Sequence, residues 1–124
     1  MILGVGVDLC KIERVREAME RTGEPFIRKF FTEKEIDLAS KTSDIAAYFA
    51  ARFAAKEAIF KALQIGLFKY EGTDIEISAG ELGEPIVSLL GNLAEFATHK
   101  GVGQVWVSMS YDGEYAVATS VLEG

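Results

Sequence analysis

Of the 124 residues one is cysteine, one histidine, one tryptophan and two proline, and acidic side chains outnumber basic ones, nineteen to thirteen. The lone Cys10 cannot close a disulfide within the chain, so nothing points to an oxidising compartment. One thiol supplies no metal-ligand spacing, and Cys10 is read as a small buried hydrophobe. His99 falls near the end of an expected helix, where it complements the dipole, and no serine or cysteine elbow accompanies it for a triad. A net charge of −6 argues against broad nucleic-acid or anionic-membrane binding. No apolar run reaches the length of a bilayer span, and the N-terminus lacks the basic flank and cleavage site of a signal peptide. A soluble, cytoplasmic protein is expected, with one domain over residues 1–124 built on one modest core.

What is present begins with Gly4-Val5-Gly6-Val7-Asp8. On an extended strand Ile2, Gly4, Gly6 and Asp8 share one face while Leu3, Val5, Val7 and Leu9 share the other. The second face is expected to be core. The first is bare at two positions and ends in an acid, as close approach of another backbone or a ligand requires. Tight packing alone, with Asp8 solvated or capping a helix, accounts for the same pattern. No third glycine opens a helix, so this is not a dinucleotide-binding fingerprint.

The second segment is Arg52-Phe53-Ala54-Ala55-Lys56-Glu57-Ala58. From Asp44 to about Leu63 no glycine or proline interrupts an alanine-rich run that Ser43 or Asp44 can cap, which predicts a long helix. At roughly 100° per residue, Ile45, Phe49, Phe53, Phe60 and Leu63 fall in an arc of about 80°, the expected buried stripe. Lys56 projects inside that arc and Glu57 lies beyond its edge, toward Lys61. Charges so placed need a partner, a metal or a function, unless they snorkel outward and pair with exposed neighbours.

Elsewhere the pattern predicts a helix from Lys11 to about Thr22, stopped by Gly23-Glu24-Pro25, then a short apolar-basic piece to Phe31. Thr32 begins a further helix through a capping box with Glu35. Period-two segments at Asp74–Ser78 and Pro85–Leu90 form one hairpin. Another joins Gln104–Tyr111 to Glu114–Leu122 at Asp112-Gly113, with a helix from Asn92 to Lys100 between the two hairpins. The class is α+β, with a mainly antiparallel sheet and a long helix packed on it. The first strand must pair with the late hairpins, which carries Asp8 toward Glu57.

In Gly4-Val5-Gly6-Val7-Asp8, in Phe31-Thr32 with Glu35, and in Arg52 to Glu57 continuing to Lys61, the chain resembles the short-form 4′-phosphopantetheinyl transferases, the holo-(acyl carrier protein) synthases. Gly83-Glu84-Pro85, Ser108-Met109-Ser110 and Tyr115-Ala116-Val117-Ala118 extend the resemblance over essentially the whole chain. It implies transfer of 4′-phosphopantetheine from coenzyme A to a serine of an acyl carrier protein, releasing adenosine 3′,5′-bisphosphate and supporting fatty acid biosynthesis. Such chemistry calls for a divalent cation and positive charge around the phosphates.

By that resemblance Asp8 and Glu57 hold Mg²⁺, and Lys61 partners the phosphates, so that Asp8, Glu57 and Lys61 form the catalytic set. Arg52, Lys56, Lys61 and Ser110 are the coenzyme A contacts, with Lys56 equally suited to a buried ion pair. The serine proton goes to Glu57 or to metal-bound water. Arg14, Arg21, Phe26 and Arg28 dock the acidic carrier, and the assembly is a homotrimer with sites at subunit interfaces. Tyr111 stands where the family usually has histidine; it offers a hydrogen bond but carries no proton near neutral pH. The competing classes are a coenzyme-binding module that transfers nothing and a purely structural interaction domain.

Overall fold

The computed structural model describes residues 1–66 and 69–124. Strand β1 (Ile2–Lys11) leads into helices α1 (Ile12–Thr22), α2 (Glu24–Phe30), α3 (Glu33–Ala39) and α4 (Ile45–Leu63). A 3-10 turn (Gly72–Asp74) precedes β2 (Ile75–Ala79) and β3 (Pro85–Leu89), followed by α5 (Gly91–His99), β4 (Gln104–Asp112) and β5 (Tyr115–Glu123). The expected α+β class holds. A three-stranded sheet runs in the order β1-β5-β4 and a two-stranded one pairs β2 with β3, both antiparallel. β1 therefore pairs with the last hairpin, as its unmet backbone groups require.

The two faces of β1 are the reverse of the expectation. Val5, Val7 and Leu9 are 65%, 56% and 61% exposed, whereas Gly6 and Cys10 are buried. The glycine face is core because α4 lies directly on it. A Cβ on Gly4 would stand 2.1 Å from the Ala62 carbonyl oxygen, and one on Gly6 2.0 Å from that of Ala58. Backbone meets backbone there, with Ala54, Ala58 and Ala62 buried along the helix. Bare strand positions and alanines are what allow the approach.

α4 also departs from the single stripe. Ile45 is exposed, while Phe49, Phe60, Leu63 and eight alanines spread around the helix are buried. It is a central helix, apolar nearly all round, with the sheet on one side and α1 and α3 on others. Asp44 caps it by accepting from the Ala47 amide. It ends where Gln64 turns left-handed and Lys100 donates to the Leu63 carbonyl at 2.8 Å.

Two local differences have simple causes. The piece after Gly23 is helical, since Pro25 sits in the first turn, where its missing N–H costs nothing. The last hairpin turns at Gly113-Glu114, one residue later than expected, because Asp112 pairs with Tyr115. Gly113, with φ 61°, takes the first loop position, which favours glycine in a type II′ turn. The capping box of Thr32 and Glu35 is present as expected.

Candidate functional site

β1 and α4 bring Asp8 and Glu57 to one cavity of about 560 Å³. The register of the strand turns Asp8 toward the helix, on the face that Gly4 and Gly6 keep close to it. Lys61, one turn beyond Glu57, donates to Asp8 Oδ1 and to the Val7 carbonyl, each at 3.0 Å. The Glu57 carboxyl is pushed up, chiefly by burial, then by the Asp8 charge, with Lys61 opposing both. Asp8 and Glu57 thus share a space whose exposed cations, Lys61 beside Asp8 and Lys29 on the wall, leave the Glu57 carboxyl raised. Among the described residues no group of three or more His, Cys, Asp or Glu converges, so a cation here would rest on this pair.

Four aromatic rings wall that cavity, Phe30 from α2, Phe53 and Phe60 from α4, and Tyr70 ahead of the 3-10 turn, together with Lys29, Lys56, Glu71 and Gly72. Phe30 and Phe53 also wall a smaller cavity of about 320 Å³, lined by Cys10, Arg14 and Phe26. Burial raises the Cys10 thiol most, Asp8 adds to the rise, Arg14 lowers it and Glu57 raises it slightly. The Arg14 charge therefore reaches the Cys10 thiol, on the same strand face as Asp8. Arg14 and Arg21 are exposed on α1 and form no ion pair among the described residues. Arg28 is different, since Glu24 and Glu33 both pair with it. Phe26 is partly buried against Phe30.

Lys56 lies next to Glu57 in sequence but points into the protein and is only 2% exposed. Its ammonium donates to Glu35 Oε1 at 2.7 Å and to the Phe30 and Gly72 carbonyls at 2.7 and 2.9 Å. All three donors are used, and none is left for a phosphate. Of the two roles open to it in sequence, the geometry matches the buried ion pair. Desolvation lowers its pKa and Glu35 acts against that.

Arg52 and Ser110 are not brought to the carboxylates within the chain. They line a second cavity of about 510 Å³, with Thr42, Tyr48, Pro85 and Tyr111, and no residue lines both. The Arg52 guanidinium stacks 3.9 Å above the Tyr48 ring, and its buried Nε has no hydrogen-bond partner among the described residues. The Tyr48 phenol, pushed up to about 12 mainly by burial, donates to the Glu35 carbonyl at 2.6 Å. An arginine held over a neutral ring, beside serine hydroxyls on the edge strand β4, suits an anionic or planar ligand. Tyr48 escaped the reading of the sequence although its spacing of four from Arg52 is the stacking interval on a helix. Glu35 was legible only as a cap.

The family model of the 4′-phosphopantetheinyl transferase superfamily matches residues 4–120. The holo-[acyl-carrier-protein] synthase of Desulforudis audaxviator is 43% identical over 124 residues, all of this chain and 95% of that protein. That of Clostridium acetobutylicum is 44% identical over 123 residues, covering 99% and 98%. Among solved structures, the Neisseria meningitidis synthase superposes with a TM-score of 0.92 at 29% identity over the whole of both chains. The Helicobacter pylori synthase, in complex with coenzyme A, gives 0.86 at 30% identity, covering 96% of this chain and 99% of that one. With its sequence matched over nearly its full length and its fold matched throughout, the chain belongs to the 4′-phosphopantetheinyl transferase superfamily.

Proposed function

We propose that the chain is a single transferase domain that moves 4′-phosphopantetheine from coenzyme A to a serine of an acyl carrier protein. The observation that carries this is the meeting of Asp8 and Glu57 in one cavity, with Lys61 hydrogen-bonded to Asp8. In the reaction the serine oxygen bonds to the phosphorus bearing the pantetheine. The bond from that phosphorus to the bridging oxygen breaks, and adenosine 3′,5′-bisphosphate leaves. The serine proton passes to a carboxylate oxygen or water at the cluster.

Asp8 and Glu57 fit Mg²⁺, which takes one or two protein carboxylates and completes its shell with phosphate oxygens and water. When bound, the cation neutralises charge on the pyrophosphate. Lys61, exposed and tethered among the described residues to Asp8 and the Val7 carbonyl, can turn its charge toward the leaving phosphate. Arg52, whose buried Nε has no partner among the described residues, and Ser110 serve the nucleotide portion of the donor. Arg14, Arg21 and Phe26 meet the acidic carrier, while Arg28, already paired with two glutamates, contributes least.

Arg52 and Ser110 lie in a different cavity from the carboxylates, so one chain offers two halves of a site. We assign their union to a homotrimer. The sheet face of Val5, Val7, Leu9, Trp106 and Val117 is apolar and exposed, a surface that calls for cover. Ser108 and Ser110 lie at its β4 edge beside the Arg52 cavity. A second copy on that face brings carboxylates to arginine. The location is cytoplasmic, where a free thiol such as Cys10 persists.

The test is to incubate the protein with coenzyme A, Mg²⁺ and an apo acyl carrier protein and to weigh the carrier. A gain of one phosphopantetheine, abolished by a chelator, is expected. Coenzyme A binding with no gain on any carrier tried overturns the transferase reading.

A further inference from the structure

Lys56 and Glu35 are wholly buried opposite charges that the reaction as described does not use. Each is fully satisfied. Glu35 accepts from the Thr32 amide at 2.8 Å, from Lys56 at 2.7 Å and from the Ile77 amide at 2.8 Å. Lys56 answers Glu35 and also grips the carbonyls of Phe30, the last residue of α2, and of Gly72, the first of the 3-10 turn. A buried pair of this kind seldom adds net stability over apolar residues of the same volume, because desolvating both charges offsets their attraction. What it does supply is position.

The position in question is that of one wall. Phe30 and Gly72 both line the cavity that holds Asp8 and Glu57, and they touch, since a Cβ on Gly72 would stand 2.9 Å from the Phe30 carbonyl oxygen. Lys56 fastens that seam to α4 one residue before Glu57. A single ammonium thereby ties that wall to the turn of α4 that carries Glu57. We propose that Lys56 and Glu35 are positioning residues for the transfer: they hold the Phe30–Gly72 wall at a fixed spacing from Glu57. The uncharged chain on the reacting phosphorus lies against that wall. This rests on the transferase reading above.

The experiment compares Lys56→Met and Lys56→Arg with the unaltered enzyme. Methionine keeps the stem and removes the donors. Arginine keeps the charge but loses the three converging donors of an ammonium. Both variants are expected to lose about 10- to 100-fold in kcat, the scale of a misplacement of about 1 Å. Carrier KM and the affinity for adenosine 3′,5′-bisphosphate, which lacks the chain, stay within about twofold by the same reasoning. Recovery of kcat by Lys56→Arg assigns the residue to phosphate charge and overturns the proposal, as does normal kcat in Lys56→Met with only a lowered melting temperature.

Gly72→Ala decides the matter if the lysine variants do not fold. It leaves the ion pair intact and presses the added methyl on the Phe30 carbonyl. A fall in kcat with bisphosphate affinity kept is expected, and unchanged kcat overturns the proposal. Failure of the underlying reading is separate, because it appears as an unaltered protein that never loads the carrier.

Discussion

The two cavities on α4 have almost opposite chemistry. One gathers Asp8, Glu57 and Glu71 with Lys29 and Lys56 among aromatic rings, and the other sets Arg52 of α4 beside hydroxyls of the edge strand β4. The Glu57 carboxyl is pushed toward protonation by burial and by Asp8, while the buried Arg52 Nε has no hydrogen-bond partner among the described residues. The first holds carboxylates, and no carboxylate lines the second among the described residues. A pyrophosphate donor needs both, a cation on its bridging oxygens and positive charge on its outlying phosphate. On the proposed reading, that contrast makes the single chain half of a working arrangement.

The contrast can be broken most completely at Gly6. Gly6→Ala forces a Cβ to within 2.0 Å of the Ala58 carbonyl oxygen, a backbone atom that cannot step aside. A loss of at least about 3 kcal/mol is expected, seen as an early or missing cooperative melt by circular dichroism, and both cavities fail together. Charging the open sheet face with Val5→Glu and Val7→Glu should instead leave the chain folded but monomeric by sedimentation. Turnover is then expected to fall by more than about 100-fold, since the two halves are no longer held together. An active monomer would refute the half-site comparison.

Within the assembly the cavities should respond in different parameters. Glu57→Gln is expected to lower kcat by roughly 10²- to 10³-fold, as the loss of one preorganised electrostatic contact does, with adenosine 3′,5′-bisphosphate affinity kept. Arg52→Ala should do the converse, weakening coenzyme A by about 10-fold or more for a charged hydrogen bond lost, with kcat at saturation nearly normal. Titration calorimetry and steady-state rates separate the two patterns.

The smallest effect is one of pH. The Glu57 carboxyl is raised, so the folded chain holds that proton to a higher pH than the unfolded chain does. Its contribution to stability is present below the unfolded value and lost as pH rises through the folded one. Without divalent cations, Glu57→Gln should match the unaltered chain in acid and melt higher near neutrality. Equal melting at every pH would mean the two acids do not burden each other.

Much of this was legible in the residues. The capping box at Thr32, the hairpins and the span of α4 follow from local pattern and spacing, whereas the approach of Asp8 to Glu57 and Lys61 was expected from the pairing of the first strand with the late hairpins and from the family resemblance. The faces of β1 were not. Period two separates Gly4, Gly6 and Asp8 from Val5, Val7 and Leu9 but is silent on which set meets the core, and hydrophobicity pointed the wrong way. The turn of the last hairpin slipped by one residue for a related reason, since register is set across strands and the turn follows.

The sequence by itself determined the elements, their caps and the residue types of the chemistry, because these depend on neighbours a few positions away. Only the tertiary structure decided which face of β1 is covered, that Lys56 turns inward to Glu35, and that Arg52 and Ser110 share a cavity without Glu57. Each of those depends on where a distant backbone comes to lie: the carbonyls of Ala58 and Ala62 over two glycines, and those of Phe30 and Gly72 around one ammonium. Backbone carbonyls are the same in every residue, so no pattern of side chains announces them.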